Sequence, residues 1–343
     1  MTIEQLERMP KVELHVHLEG SVEPATLLEL AKKNKVRLPA ATLEEISAWY
    51  EFSDFNSFIA VYMKISECIK TPDDIEFIAR EFLKNQKKMN VLYSEVVFTP
   101  YNHYLQKGLD FHQQVGALER ARAWGHDVLG IQCNYIMDIS REVDAETGTI
   151  TAQWMLHEKS GALVALGLGG PEIGFPPERH AKSFDLIRGS GILAYPHAGE
   201  TCGPESVWGA IKTLGAKRIG HGVRSWEDGT LIEFLKQNNI TIDVCPSSNI
   251  CLKVYPDLKS HVLPKLVDAG VRVTINSDDP PMFNTTLVKE YEKIAEVFNF
   301  GKSDFQRFNK TAIESSFLGP VEKRMLEMEY DKAWISVFGV VRD

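Results

Sequence analysis

Eight short runs rich in β-branched residues, helix-forming stretches between them, and strand candidates apolar almost throughout predict an α/β chain folded as a (β/α)8 TIM barrel. Parallel strands covered on both faces read as continuous apolar runs, whereas half-exposed strands alternate. The runs are Val12–His17, Val91–Phe98, Val128–Met137, Leu163–Leu168, Ile192–His197, Arg218–His221, Ile240–Cys245 and Val271–Asn276. The sixth is short and draws support from its neighbours. Helices are expected at Phe111–Trp124, Pro176–Ser190, Pro204–Leu214, Thr230–Asn238 and Leu258–Ala269. Eight strand–helix units in this length favour a closed barrel over a doubly wound open sheet.

The connection after the first run is irregular. Pro24–Asn34, Thr42–Trp49, Asp54–Cys68 and Thr71–Met89 read as successive helices, three with Ser, Thr or Asp at or near the start, where a side-chain oxygen caps free N–H groups. The βα connections of a barrel lie on its catalytic face. This insertion, about residues 24–89, is therefore expected to cover a substrate as a lid. Its aromatics Trp49, Tyr50, Phe52, Phe55, Phe58 and Tyr62 are expected mainly to pack the helices together. No repeat, low-complexity tract or linker interrupts the chain, so residues 1–343 are expected to form one domain.

The chain carries 38 Lys+Arg against 47 Asp+Glu, a formal charge of −9. That balance argues against duplex nucleic acid or an anionic membrane as the main partner, since both reward a basic patch. Met1 to Lys11 holds charged residues of both signs and no apolar h-region, unlike a secretory signal. The apolar run Ala162–Gly170 is far short of the ~20 residues of a spanning helix. Five cysteines (Cys68, Cys133, Cys202, Cys245 and Cys251) form no CxxC pair, which suits inert thiols in a reducing cytoplasm.

The chemistry concentrates at the strand ends. His15 and His17 close the first run two residues apart, so both imidazoles point to one side of a strand. The fifth run ends Pro196-His197-Ala198-Gly199-Glu200, the sixth Gly220-His221-Gly222, and the eighth Asn276-Ser277-Asp278-Asp279-Pro280. Strand C-termini converge on one face of a barrel, so residues distant in sequence can share one ion. His15, His17, His197 and Asp278 make a set that would hold a single divalent metal (zinc, iron or nickel) with room for water.

These residues also carry a resemblance. The motifs Glu13-Leu-His-Val-His-Leu-Glu-Gly20, His197-Ala-Gly-Glu200, Arg218-Ile-Gly-His-Gly222, Cys245-Pro-Ser-Ser-Asn249 and Ser277-Asp-Asp-Pro280 look like those of the adenosine deaminase family, within the metal-dependent amidohydrolase superfamily. The resemblance runs from about residue 8 to about residue 320, with the motifs in family order. It implies one zinc ion per chain and hydrolytic removal of the 6-amino group of an aminopurine. Zinc lowers the pKa of bound water to about 7. By the resemblance, Glu200 protonates ring N1 as a general acid, and His221 orients and deprotonates the water and stabilises the developing charge. Asp278 ligates zinc and accepts a hydrogen bond from the attacking oxygen, Asp279 bonds purine N7, and the Gly170 N–H reaches N3. Glu172 matches no role and reads as a solvated loop carboxylate.

Close relatives are excluded. Binuclear amidohydrolases place a bridging lysine or carboxylate at the fourth strand's end, which here is Gly167-Leu-Gly-Gly170. Zinc deaminases of the H-x-E…P-C-x-x-C type lack a match after His17-Leu-Glu19, because Cys245-Pro246 reverses the second motif.

The substrates of the resembled family include adenosine, free adenine, N6-modified aminopurines and aminodeoxyfutalosine. Glu19 stands where adenosine deaminases usually carry an aspartate that reaches the 5′ hydroxyl. Related adenine deaminases usually read Ile-Asp-His-Gly where this chain has Ile219-Gly220-His221-Gly222. A glycine there is expected to leave space beside the base, which suits a sugar-bearing ligand. The expectation is an adenine nucleoside, with aminodeoxyfutalosine and free adenine as alternatives. A barrel that binds nucleoside without turnover is the reading from another class, and the filled motif positions weigh against it.

Overall fold

The computed structural model describes residues 1–51 and 55–339, without the side chains of residues 55 and 56. Eight parallel strands follow in chain order around the barrel: β1 (Lys11–His17), β2 (Val91–Phe98), β3 (Gln132–Ser140), β4 (Leu163–Gly169), β5 (Leu193–Ala198), β6 (Arg218–His221), β7 (Thr241–Val244) and β8 (Arg272–Ile275). The first two are buried at every residue, polar side chains such as Lys11, Glu13 and Glu95 included, as strands covered on both faces are. Inside the barrel, Val97, Ile136, Ala165 and Tyr195 pack as one cluster, while a larger core lies between strands and helices.

The third strand corrects the expectation of Val128–Met137. Residues Gly125–Leu129 form a π-helical turn that prolongs the preceding helix, and Val128 is 62% exposed. Gly130 at φ 63° ends that turn, so the strand starts later and runs on to Ser140. Its inward-facing series therefore includes Asp138, which the shorter reading left outside.

The insertion forms four helices: Pro24–Asn34, Leu43–Tyr50, Phe55–Cys68 and Pro72–Lys88. Thr42 and Thr71 cap the second and fourth, each accepting from the N3 backbone N–H while the N3 side chain returns the bond. Phe52 and Asp54, and the side chain of Phe55, lie outside the described residues. Trp49 and Tyr50 pack among the helices as expected, and the Tyr50 hydroxyl donates to Val22 O at 2.8 Å. Phe58 and Tyr62 also pack against each other, and Phe58 stacks on Phe283, while both face the cleft at the barrel mouth as well. Three further helices follow β8, Leu287–Phe298, Lys302–Ser315 and Pro320–Phe338, which the sequence reading does not anticipate.

Closure between β8 and β1 is made largely by polar contacts beyond the end of β8. Asn276 Oδ1 accepts from Leu14 N at 2.9 Å and His15 N at 3.1 Å, and Asn309 Oδ1 accepts from Val12 N at 2.9 Å. Farther along, His17 N donates to Asp278 O at 2.9 Å and Asp278 N to His15 O at 3.2 Å. A buried amide without a partner costs about 1–3 kcal/mol. Asn276→Ala strands two such groups and is expected to lower unfolding free energy by about 2–4 kcal/mol. Urea denaturation checks this; a loss below about 0.5 kcal/mol would show that the seam does not need the side chain.

Candidate active site

His15, His17, His197 and Asp278 converge at the mouth, all buried. The ring centroids of His15 and His17 are 5.5 Å apart, those of His15 and His197 4.6 Å, and those of His17 and His197 5.1 Å. Asp278 Oδ1 stands 3.4 Å from Nε2 of both His15 and His17, while Oδ2 faces His221 Nε2 at 3.8 Å. Candidate ligand atoms of His15, His197 and His221 lie within 4.8 Å of one another, so His221 approaches the cluster as closely as the expected ligands. Cys245 also comes within that reach of His15 and Asp278, but burial pushes its thiol well up, which keeps it protonated. Burial lowers all four histidines, so the imidazoles are neutral and each offers one nitrogen lone pair.

Hydrogen bonds behind the cluster fix which nitrogen is bare. The Tyr195 hydroxyl donates to Asp243 Oδ2 at 2.6 Å. Asp243 also takes Thr274 Oγ1 at 2.7 Å and pairs with Arg218 Nε at 2.9 Å, as a carboxylate among donors. The Tyr195 oxygen can then only accept from His15 Nδ1, 2.5 Å away. The remaining proton of His15 is thereby placed on Nδ1, and Nε2 points its lone pair at the site. Nε2 of His15 and of His197 are buried without any hydrogen-bond partner.

A second chain orients His221. Leu263 N donates to His261 Nδ1 at 3.0 Å, and burial lowers His261 to about 4, so it is neutral. Its Nε2–H donates to Asn249 Oδ1 at 3.1 Å, which turns the Asn249 amide nitrogen toward His221 Nδ1 at 3.5 Å. His221 thus carries its proton on Nε2, facing Asp278. The Cys245–Asn249 motif supplies this amide. His221 and Asp278 sit at φ 62° and 64°, a conformation that costs a non-glycine residue about 1 kcal/mol or more.

Glu200 is 7% exposed, and its Oε1 has no hydrogen-bond partner. Burial, then the charges of Asp278 and Glu172, push its carboxyl well above the usual range. Asp279 is raised likewise by burial and by Asp278, and its Oδ1 is unpartnered. Asp278 is held well below, against burial, by His15 and the neighbouring imidazoles. A Cβ at Gly20 would lie 1.5 Å from Asp279 Oδ1, so only glycine leaves room for that carboxyl.

Glu172 is a correction. It is buried, not solvated, and accepts from the backbone N–H groups of Gly199, Glu200, Thr201 and Cys202 at 2.6–2.9 Å and from Ser206 Oγ at 2.6 Å. It fixes the loop that presents Glu200. Gly220 is a second correction. A Cβ there would come within 2.7 Å of both His15 Cε1 and His197 Cδ2, so the space belongs to the imidazoles and not to a sugar.

The cleft is lined on its helical side by Phe58, Ile59, Tyr62 and Met63, and on its barrel side by Thr99, Asp138, Ser140, Gly169 and Gly170 beside the cluster. Gly170, at φ 90°, lines it as expected. Glu19 is buried next to it, its Oε1 taking His103 Nε2 at 3.0 Å and Thr99 N at 3.2 Å. Burial opposes its ionisation, but the His103 hydrogen bond keeps it below the usual range. Glu19 Oε2 has no partner.

A family model described as adenosine deaminase matches residues 10–333. The chain belongs to the adenosine deaminase family. This deaminase is 36% identical over 333 residues to aminodeoxyfutalosine deaminase of Streptomyces avermitilis, covering 96% of this chain and 93% of that one. It is 34% identical over 325 residues to adenine deaminase of Crocosphaera subtropica, covering 94% and 99%. An adenine deaminase structure from Arthrobacter aurescens superposes with a TM-score of 0.90 at 27% identity, covering 96% and 99%. The protein is a hydrolytic deaminase acting on C–N bonds.

The donor set of this deaminase, neutral imidazoles with one ionised carboxylate, suits a zinc ion, and the orphaned Nε2 atoms give it bare lone pairs. His197→Ala and Asp278→Ala are each expected to lower bound zinc measured by plasma mass spectrometry; undiminished metal in both would refute the ligand set. Tyr195→Phe frees the His15 tautomer and is expected to weaken zinc affinity about 10–100-fold in a chelator competition. Equal affinity would show that the tyrosine does not orient His15.

Proposed function

We propose that the protein removes the 6-amino group of an adenine nucleoside that carries no phosphate, using one zinc ion held by His15, His17, His197 and Asp278. The observation that carries this is the buried Glu200, its Oε1 unpartnered and its carboxyl pushed well up, beside an Asp278 held well down at the floor of a cleft whose barrel wall is polar. Two carboxyls driven apart in pKa divide acid from base. When bound, zinc supplies a strongly nucleophilic oxygen from water at neutral pH.

The purine lies with N1 toward Glu200, N3 toward the Gly170 N–H and N7 toward the protonated Asp279. Glu200 gives its proton to N1 as C6 becomes tetrahedral. Asp278 Oδ2 takes one proton of the attacking water and passes it to the amino group, which leaves as ammonia. The second proton, on the new hydroxyl, returns to Glu200 as the carbonyl forms, so the acid is restored. The tautomer of His221 suits a donor that stabilises the oxygen's charge, one of the two roles the resemblance implies for it, while Asp278 takes the part of base. The cleft-lining helix Phe55–Cys68 supports a lid role for the insertion, within a single domain.

None of the described residues lining the cleft is Lys or Arg, which disfavours a phosphate. Thr99, Asn102, Ser140 and Glu142 give the cleft polar groups able to meet the hydroxyls of a sugar as well as a base. Aminodeoxyfutalosine is a second reading, favoured by the similarity to the Streptomyces enzyme. No described helix is long and apolar enough to cross a membrane, and the five free cysteines support a cytoplasmic setting.

The test is a panel of adenosine, adenine, aminodeoxyfutalosine and AMP with zinc-loaded protein, read by the absorbance change from aminopurine to oxopurine. Higher kcat/KM on adenine or on AMP than on both nucleosides would overturn the reading. Glu200→Gln is expected to retain zinc and lose about 10³-fold or more in kcat, and near-normal turnover would remove Glu200 from proton transfer.

A further inference from the structure

Asp138 has no part in the reaction described above, yet it lines the cleft beside Gly170, His197 and Glu200. It faces inward on β3 two residues before the strand's last residue, Ser140, is 4% exposed, and its Oδ1 has no hydrogen-bond partner. No ion pair reaches it among the described residues. The nearby Arg141 guanidinium turns its two terminal nitrogens elsewhere, donating to the carbonyls of His197 and of Phe175, the latter at 2.9 Å, and its Nε reaches no acceptor. Burial keeps the Asp138 carboxyl well above the usual range, against the charge of Arg141. A buried carboxyl left without a partner is costly, so a polar group of the ligand is the natural counterpart.

The neighbouring strand is shaped around it. Asp138 pairs in register with Gly167. A Cβ at Gly167 would lie 2.5 Å from Asp138 Oδ1, and one at Gly169 would lie 2.4 Å from Oδ2. Two glycines on β4 therefore vacate the wall so that a carboxyl from β3 can stand there. Without that side chain the same stretch would be a hole beside the Gly170 backbone.

The order of the strands says which part of a nucleoside meets this carboxyl; this step rests on the purine placement given above. The groups assigned to N1, N3 and N7 come from the ends of β5, β4 and β8. Around the purine perimeter, N9 lies between N3 and N7, on the side away from N1. Around the barrel, β3, β2 and β1 lie between β4 and β8 on the same side. The N9 substituent consequently faces the ends of β3 to β1, and Asp138 stands at the end of that arc next to N3. On a ribonucleoside held in the anti conformation, the sugar hydroxyl nearest N3 is the 2′-hydroxyl. A carboxyl there can both accept from and donate to a hydroxyl.

We propose that Asp138, seated in the gap left by Gly167 and Gly169, hydrogen-bonds the 2′-hydroxyl of the substrate and makes the enzyme prefer ribonucleosides to 2′-deoxyribonucleosides. It is a specificity residue, separate from the groups that move protons.

The experiment compares kcat/KM on adenosine and 2′-deoxyadenosine for zinc-loaded wild type, Asp138→Ala, Asp138→Asn and Gly167→Ala. The wild type is expected to prefer adenosine about 10–100-fold, because a site built to bond a hydroxyl is left unpaired by its absence. Asp138→Ala is expected to bring the ratio to within about threefold of unity. Asp138→Asn, which still offers an acceptor and donors, keeps most of the preference. Gly167→Ala, which displaces the carboxyl, loses it. Competitive inhibition of the wild type by inosine and 2′-deoxyinosine reads the same preference at equilibrium and does not depend on any variant folding. A wild-type ratio near unity, or equal losses on both substrates in Asp138→Ala, would overturn the proposal. If the wild type deaminates adenine and neither nucleoside, the nucleoside reading itself falls, and this role for Asp138 falls with it.

Discussion

The seam between β8 and β1 is the constraint on which the rest depends, because barrel closure and ligand placement there are the same contacts. His17 N–H reaches Asp278 O, and Asp278 N–H reaches His15 O, so the residues proposed to hold the metal are joined through their own backbones. Glu13 tightens the joint, its Oε1 accepting from Ser277 N at 2.9 Å and Ser277 Oγ at 2.6 Å. Asn276, one residue earlier, binds the N–H groups of Leu14 and His15. Residues some 260 positions apart are thus held with the precision of a strand pair. Asp278 takes a left-handed backbone conformation in the process, and the surrounding bonds hold it there.

The same logic of fixed neighbours sets the protonation of the site. Burial alone would neutralise every carboxyl near the floor. Asp278 shifts the other way within the imidazole cluster, where His221 turns its Nε2–H toward Oδ2, and its charge in turn pushes Glu200 and Asp279 up. One ionised carboxylate is therefore surrounded by neutral acids, each with an unpartnered oxygen. Glycines make this crowding sterically feasible. Gly20 admits Asp279, Gly220 admits the rings of His15 and His197, and Gly167 with Gly169 admit Asp138.

Much of this was legible in the residues, for identifiable reasons. His15 and His17 share a strand face by spacing alone, and the expected strand ends bring His197, His221 and Asp278 to one mouth. The remainder depended on contacts that local pattern does not encode. Glu172 lies 27 to 34 residues from the groups it binds, and nothing in its own loop marks a carboxylate that collects backbone N–H groups. Tyr195 reads as one more apolar strand residue until His15 and Asp243 are seen on either side of its hydroxyl. Asp138 escaped because β-branched Val128 drew the strand four residues early, and its end then stopped at Met137. Gly220 misled in the opposite sense, since an absent side chain gives no direction and the vacancy was assigned to the ligand.

These features together bear on how a common scaffold could be tuned for substrate without touching its chemistry. The proton-handling groups and imidazoles are tied to β1, β5, β6 and β8 through the seam, the Tyr195–Asp243 bonds and the Asn249–His261 chain. Altering any of them disturbs several partners at once, so substitutions there are strongly coupled. The β3–β4 wall is different. Asp138 bonds to none of the seam residues, and the glycines that make room for it sit on the neighbouring strand. A change of size at Gly167 or Gly169 and a change of polarity at Asp138 would alter the wall proposed to meet the sugar while leaving the seam intact. Separating a stiff reacting floor from an independently adjustable wall allows one barrel to carry the same deamination across bases with different substituents at N9.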